Sequence, residues 1–341
     1  MKKLIRLLAV LLVLIVFAGA GAYFYLQQQF RIPHSSGAGP LILEIPHGSR
    51  TQDVLHLLRE RNLIDSETVA LGYVMLSGLR GKLKAGEYLF DVPMTVGDVL
   101  EKIASGKVYL HKFTVPEGLT VSDTAARWEE QGFGSAEDFR NAARQSVSLI
   151  HDLDKDAHSL EGYLFPETYN FPIRTTSAQA VAAMVTRFHE VIAKLRQHVP
   201  QEQWPPDFRQ AVILASIVES EAAHDDERAL IASVYENRLK KNMLLQCDTT
   251  VIYALAKENR YRGTLTLKDL KFPSEYNTYV YPGLPPGPIM NPGYDSLLAA
   301  FQPASTRYLY FVRTTGGHHT FSETLADHNK AVALYRAMMR H

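Results

Sequence analysis

The stretch QAVILASIVESE, Gln210 to Glu221, decides how the rest of the chain is read. Ala211, Leu214, Ala215 and Val218 recur at helical spacing, and Asp207, behind Pro205-Pro206, is a good helix-starting residue. The segment therefore predicts a core-packed helix that brings Glu219 out of water on at least one side. A carboxyl so placed keeps its proton more readily and can hand it to a leaving oxygen, which is general-acid chemistry. The plainer reading is that Glu219 ends a helix and faces solvent, as most glutamates do. Periodicity does not separate it from Glu221, two residues and about 200° further round an ideal helix.

Outward from this stretch, 341 residues give material for roughly two or three domains with a sizeable core. Lys+Arg and Asp+Glu both number 36, so nothing in the charge argues for a nucleic-acid partner. The single cysteine, Cys247, excludes an intramolecular disulfide and a cysteine-based metal cluster. Leu7 to Leu26 carries no charge, is about 30 Å long as a helix, and follows Lys2, Lys3 and Arg6. That pattern predicts one transmembrane helix with a cytoplasmic N-terminus at 1–6 and an exported body. Ala18-Gly19-Ala20 resembles a cleavage site, yet the run continues through Tyr23-Phe24-Tyr25, an interfacial aromatic belt, and favours an uncleaved anchor.

Residues 27–40 read as a linker and 41–109 as a small α+β module. A related phrase occurs three times: IPHGSRTQDVLHLL from Ile45, VPMTVGDVLEKIASG from Val92 and VPEGLTVSDTAARW from Val115. Each joins a strand and a proline to a capped amphipathic helix. The module resembles the LysM-like unit that grips glycan strands, and a plain spacer accounts for the pattern almost as well.

A larger mixed α+β domain is expected over 110–341. Val181, Met184, Val185, Phe188, Ile192 and Leu195 predict a long helix over 176–197; another is expected from Asp225 through Leu239, a strand over 307–312, and a closing helix over 325–339. EGYLFPETY from Glu161 and EYNTY from Glu275, leading into YPGLPPGPIMNPG, set carboxylates and amides beside tyrosines on a loop that Pro and Gly stiffen. Such a loop is often a wall, and tyrosine next to amides suits sugar rings. A surface loop stiffened for stability fits as well.

Taken in order, EGYLFPETY, IVESE, LQCDTTVIY, YNTY, GLPPGPIMNPG, and YLYFV with HTF resemble the YceG-like family of endolytic murein transglycosylases. The resemblance implies a single-pass inner-membrane protein whose periplasmic domain carries a lysozyme-like catalytic glutamate on a helix. That domain would cut nascent peptidoglycan between N-acetylmuramic acid and N-acetylglucosamine, leaving 1,6-anhydro-N-acetylmuramic acid ends, beside peptidoglycan synthases (penicillin-binding proteins) and without a cofactor. The family's glutamate falls on Glu219. Motif membership and polarity add Glu161, Gln246, Asp248, Thr250, Asn277, Tyr279 and His319 as expected cleft residues. Thr249 stands where the family commonly has proline, and Cys247 where it has a small or hydroxyl residue. Rival readings are a water-using muramidase with Asp248 or Glu161 as second carboxylate, and a peptidoglycan-binding scaffold without catalysis. A zinc hydrolase built on His224, His318, His319 and His328 lacks the expected ligand spacing.

Overall fold

The computed structural model describes residues 2–34, 39–205 and 207–338, and the chain divides into two compact units, Met1–His111 and Lys112–His341. In the first, α1 (Lys2–Gln29) contains a 24-residue segment, Arg6–Gln29, that holds an 18-residue window of mean hydropathy 2.6 and is long and apolar enough to cross a membrane. The expected linker is shorter than its composition suggests. Gln27–Gln29 continue α1, Phe30 is buried with its ring 5.1 Å from that of Tyr73, and β1 (Pro33–His34) pairs with Met94 and Thr95. Residues 35–38 of that linker lie outside the described residues, as do Pro206 and Met339 at the edges of two predicted helices.

The module runs β2 (Leu41–Ile45), α2 (Thr51–Glu60), α3 (Glu67–Leu76), β3 (Gly86–Phe90), β4 (Met94–Thr95) and α4 (Val96–Ser105). β2 and β3 are antiparallel with Leu43 opposite Tyr88, and inward Leu43, Ile45, Tyr88 and Phe90 meet Val54, Leu58, Val74, Leu100 and Ile103. The repeated phrase becomes a repeated cap. Asp53, Asp98 and Asp123 accept from the backbone N–H three residues earlier, at 2.8, 3.0 and 3.1 Å, and the Thr95 and Thr120 hydroxyls accept in return.

β5 (His111–Thr114) starts at the boundary residue and runs into the second unit, where α5 (Val121–Glu130) and α6 (Ala136–Gln145) follow; β6 (Thr168–Phe171) then pairs with β5. α7 (Ser177–His198) is the predicted long helix, with its six-residue stripe buried. There follow α8 (Phe208–Glu221), α9 (Arg228–Lys240), α10 (Asp248–Lys257), α11 (Tyr294–Phe301), the antiparallel pair β7 (Tyr310–Arg313) and β8 (His319–Ser322), and α12 (Leu325–Met338). Asp207 caps α8 by accepting from Gln210 N at 3.1 Å. Every residue from Ala211 to Val218 is buried, where the spacing predicts only a stripe, because α8 packs on α9, α10 and α11 at once. A helix apolar all round belongs at the centre of its unit, and Glu219 and Glu221 stand where it emerges.

Candidate active site

The Pro- and Gly-rich loop before α11 lies along α8. Ile289 N donates to the Ser216 hydroxyl at 3.1 Å, and Arg209, itself paired with Asp154, donates to Pro286 O at 2.6 Å. Fully buried Asn291 brackets three segments. Its Oδ1 accepts from Gly162 N and Leu164 N at 2.9 and 3.1 Å, its Nδ2 donates to Leu119 O at 2.7 Å, and its carbonyl accepts from Gly118 N at 3.0 Å. Gly162, at φ +89, has no room for a side chain, since a Cβ there would come within 2.5 Å of Pro288. These contacts deliver Glu117, Gly118 and Gly293 to the end of α8.

The Glu219 side chain is 7% exposed. Its Oε2 accepts from Gly293 N, at the N-terminus of α11, at 2.9 Å, and its Oε1 lies 3.6 Å from Nη1 of Arg228. Arg228 is itself buried, donates to the Ser296 hydroxyl at 3.0 Å, and pairs with Asp225 at 3.2 Å. Its other nitrogen, Nη2, is 4.0 Å from Oε2 of Glu117. Glu117 is half exposed, and burial, then the neighbouring Glu219, push its carboxyl above the ordinary range against the pull of Arg228. It lines a hollow of about 380 Å³ with Phe165, Glu167, Lys194 and Tyr294 among the walls.

Glu221 leaves α8 in another direction. It accepts from the Cys247 thiol at 3.2 Å and lines a hollow of about 300 Å³ with Gln246, Asp248 and Tyr279. Burial holds its carboxyl above the usual range; the Cys247 thiol opposes this, Asp248 adds to it, and His319 opposes it. The two departures from the family pattern meet here. Thr249 Oγ1 lies 2.9 Å from Cys247 Sγ and 2.7 Å from Ser220 Oγ, so its hydroxyl ties α10 to α8.

The structure thus sorts the residues expected in the cleft. Gln246, Asp248 and Tyr279 come together, the tyrosine donating to Asp248 at 2.6 Å, but around Glu221. Thr250 and Asn277 are fully buried and hold loops. Thr250 donates to Cys247 O at 2.7 Å, and Asn277 donates to Leu270 O and Phe272 O at 3.1 and 2.8 Å. Glu161 is buried too, accepting from Val121 N at the start of α5 and from the Tyr253 hydroxyl; burial pushes its carboxyl up to about 7. His319 is held by Glu227, which accepts from its N–H at 3.0 Å and contacts its Nδ1 at 2.8 Å. His318 contacts the same carboxylate, and its ring stacks on His224 at 3.8 Å. Among the described residues no group of three or more His, Cys, Asp or Glu is arranged to hold a metal ion.

Glu117, Arg228 and Gly293 escaped the sequence reading, although each carries a signal. Glu117 is the acidic residue that the third copy of the repeated phrase holds behind its proline, where the others hold His47 and Met94. Arg228 puts a cation in the first turn of a helix, against the helix dipole. Gly293 follows Pro292 at a helix start usually given to Ser, Thr, Asp or Asn.

Fold and candidate site together describe a mixed α+β protein with, among the described residues, one helix long and apolar enough to cross a membrane and two acids at the end of a central buried helix. The model of the YceG-like family matches residues 43–334, and the chain belongs to that family. It is 32% identical over 331 residues to the endolytic murein transglycosylase of Bacillus subtilis (strain 168), covering 92% of this chain and 90% of that one. It is 27% identical over 358 residues to the protein of that name from Streptococcus pneumoniae serotype 2, covering 94% of this chain and 64% of the relative. The crystal structure of a YceG-like protein from Listeria monocytogenes is similar at 34% identity and a TM-score of 0.58, covering 86% of this chain and 99% of that one.

Proposed function

We propose that this chain is a membrane-anchored endolytic peptidoglycan lytic transglycosylase with Glu219 as its catalytic acid and base. The observation that carries the reading is a nearly buried carboxyl, fixed through both oxygens by Gly293 N–H and Arg228, at the end of the central helix of a YceG-like fold. Glu219 protonates the glycosidic oxygen leaving C1 of N-acetylmuramic acid. As carboxylate it then takes the proton of that sugar's C6 hydroxyl, which closes on C1. No water is consumed, and the end is 1,6-anhydro-N-acetylmuramic acid. Gly293 N–H and Arg228 serve the charged form that the second half requires. α1 supports an inner-membrane anchor with the body in the periplasm, and the β2-α2-α3-β3 order supports a LysM-like glycan grip that raises local substrate concentration.

The test is mass spectrometry of peptidoglycan digested by the full chain. Anhydro ends are expected from the wild type, a loss of about 10²–10⁴-fold or more from Glu219→Gln with glycan binding retained, and a far smaller loss from Glu221→Gln. Anhydro ends from Glu219→Gln at near wild-type rate would overturn the assignment. One observation favours a second reading, a water-using muramidase: Glu117 supplies a second carboxyl beside Arg228. Digestion in ¹⁸O-labelled water separates the two, since only hydrolysis leaves label at C1.

A further inference from the structure

Glu219 must carry a proton at the start of its cycle, yet its two direct partners are both donors that favour the charged carboxylate. The remedy lies on the opposite side of Arg228. Glu117 reaches the second nitrogen of that guanidinium at 4.0 Å, and Glu219 reaches the first at 3.6 Å. Both carboxyls also converge on Gly293, whose N–H binds Glu219 while its Cα face is covered by Glu117. A Cβ on that residue would fall 1.9 Å from Glu117 Oε1. Gly118 completes the approach, a Cβ there standing 3.9 Å from Glu219 Cγ.

We propose that Glu117 is the positioning partner of Glu219: gathered on Gly293 and Arg228, the two carboxyls are coupled, and Glu117 disfavours the state in which both are ionised, which keeps Glu219 able to act as the acid. Two carboxylates facing one guanidinium cannot both ionise as freely as either alone, so removing one carboxyl eases the ionisation of the other. The charged groups around the pair are Arg228 and, before it, Asp225 on the α9 side, Asp295 on α11, and Glu167, Arg187, Glu190 and Lys194 across the adjoining hollow. Burial and Glu219 raise Glu117, with Asp295 and Asp225 adding smaller pushes. Glu117 need not touch the breaking bond; it acts through Glu219. This inference rests on Glu219 being the acid of the reaction proposed above.

The experiment titrates the full chain in detergent micelles, labelled with ¹³C at glutamate carboxyls, the Glu219 signal being assigned by its loss in Glu219→Gln. In Glu117→Gln the Glu219 midpoint is expected to fall by about one pH unit, with Glu117→Asp restoring part of the shift. The alkaline limb of the pH–rate profile should move down equally, so that activity above the limb drops about tenfold while activity well below it changes little. An unmoved midpoint overturns the inference, and so does a loss of rate equal at every pH, which marks a structural role. Absence of anhydro ends from the wild type would defeat the proposed function alone, because the titration still decides what Glu117 does to Glu219.

Discussion

At the scale of single residues, Glu161 shows how a buried acid is misread from its neighbours in sequence. Set among tyrosines and a proline it suits a sugar, but it holds the first turn of α5, accepting from Val121 N 40 positions away along the chain. Such a partner is invisible in local sequence, as is the divergence of Glu219, held by Gly293 and Arg228, from Glu221, which lines the hollow with Gln246, Asp248 and Tyr279. The buried helix with acids at its end was legible because a cap, an apolar run and terminal carboxyls coincide, whereas the choice of Glu219 over Glu221 came from the family resemblance. Glu161 also makes a testable demand on stability. Its carboxyl rises from an ordinary 4.5 to about 7 in the fold, so across that window the folded chain binds a proton that the unfolded chain has released. The contribution of Glu161 to stability is therefore full below about pH 4.5 and falls as pH rises through 7, by about 3 kcal/mol. Glu161→Gln keeps an acceptor for Val121 N and removes the charge. Its melting temperature should gain on the wild type from pH 5 to pH 8, and parallel melting curves across that range would refute the account.

At the scale of elements, the three capped helices and the long α7 were readable because each obeys a local rule: a Thr or Asp cap, or a 3.6-residue stripe. The loop before α11 was readable only as stiff. What it positions depends on Asn291 meeting Leu119 and Gly162, contacts between distant parts of the chain that carry no periodic mark. Gly293 is the place to test that loop. Its φ of −77° suits alanine, so Gly293→Ala strains no backbone; the new methyl instead evicts the half-exposed Glu117 carboxyl. Stability should change by no more than about 1 kcal/mol, as the displaced side chain can turn into solvent. Activity at pH 8 should nonetheless fall about tenfold with the same downward move of the alkaline limb as Glu117→Gln. A wild-type profile in Gly293→Ala would show that the position of Glu117 is immaterial.

At the scale of the whole molecule, α1 was the plainest signal in the sequence, since an uncharged run behind Lys2, Lys3 and Arg6 needs no tertiary context to be read. It predicts that isolated membranes retain the full-length chain with Met1 intact, and that protease added from the periplasmic side removes the body while added cytoplasmically it does not. A soluble form beginning near Gly21 or Tyr23 would contradict this. The bracket formed by Asn291 has a consequence in time as well as in space. Ribosomes deliver Glu117 and Glu219 before the residues that gather them, since Gly293 follows Glu219 by 74 positions and Asn291 follows Leu119 by 172. A nascent polypeptide therefore cannot assemble the proposed site until translation has passed Gly293, and a product cut short before Asn291 would carry both acids with nothing to gather them.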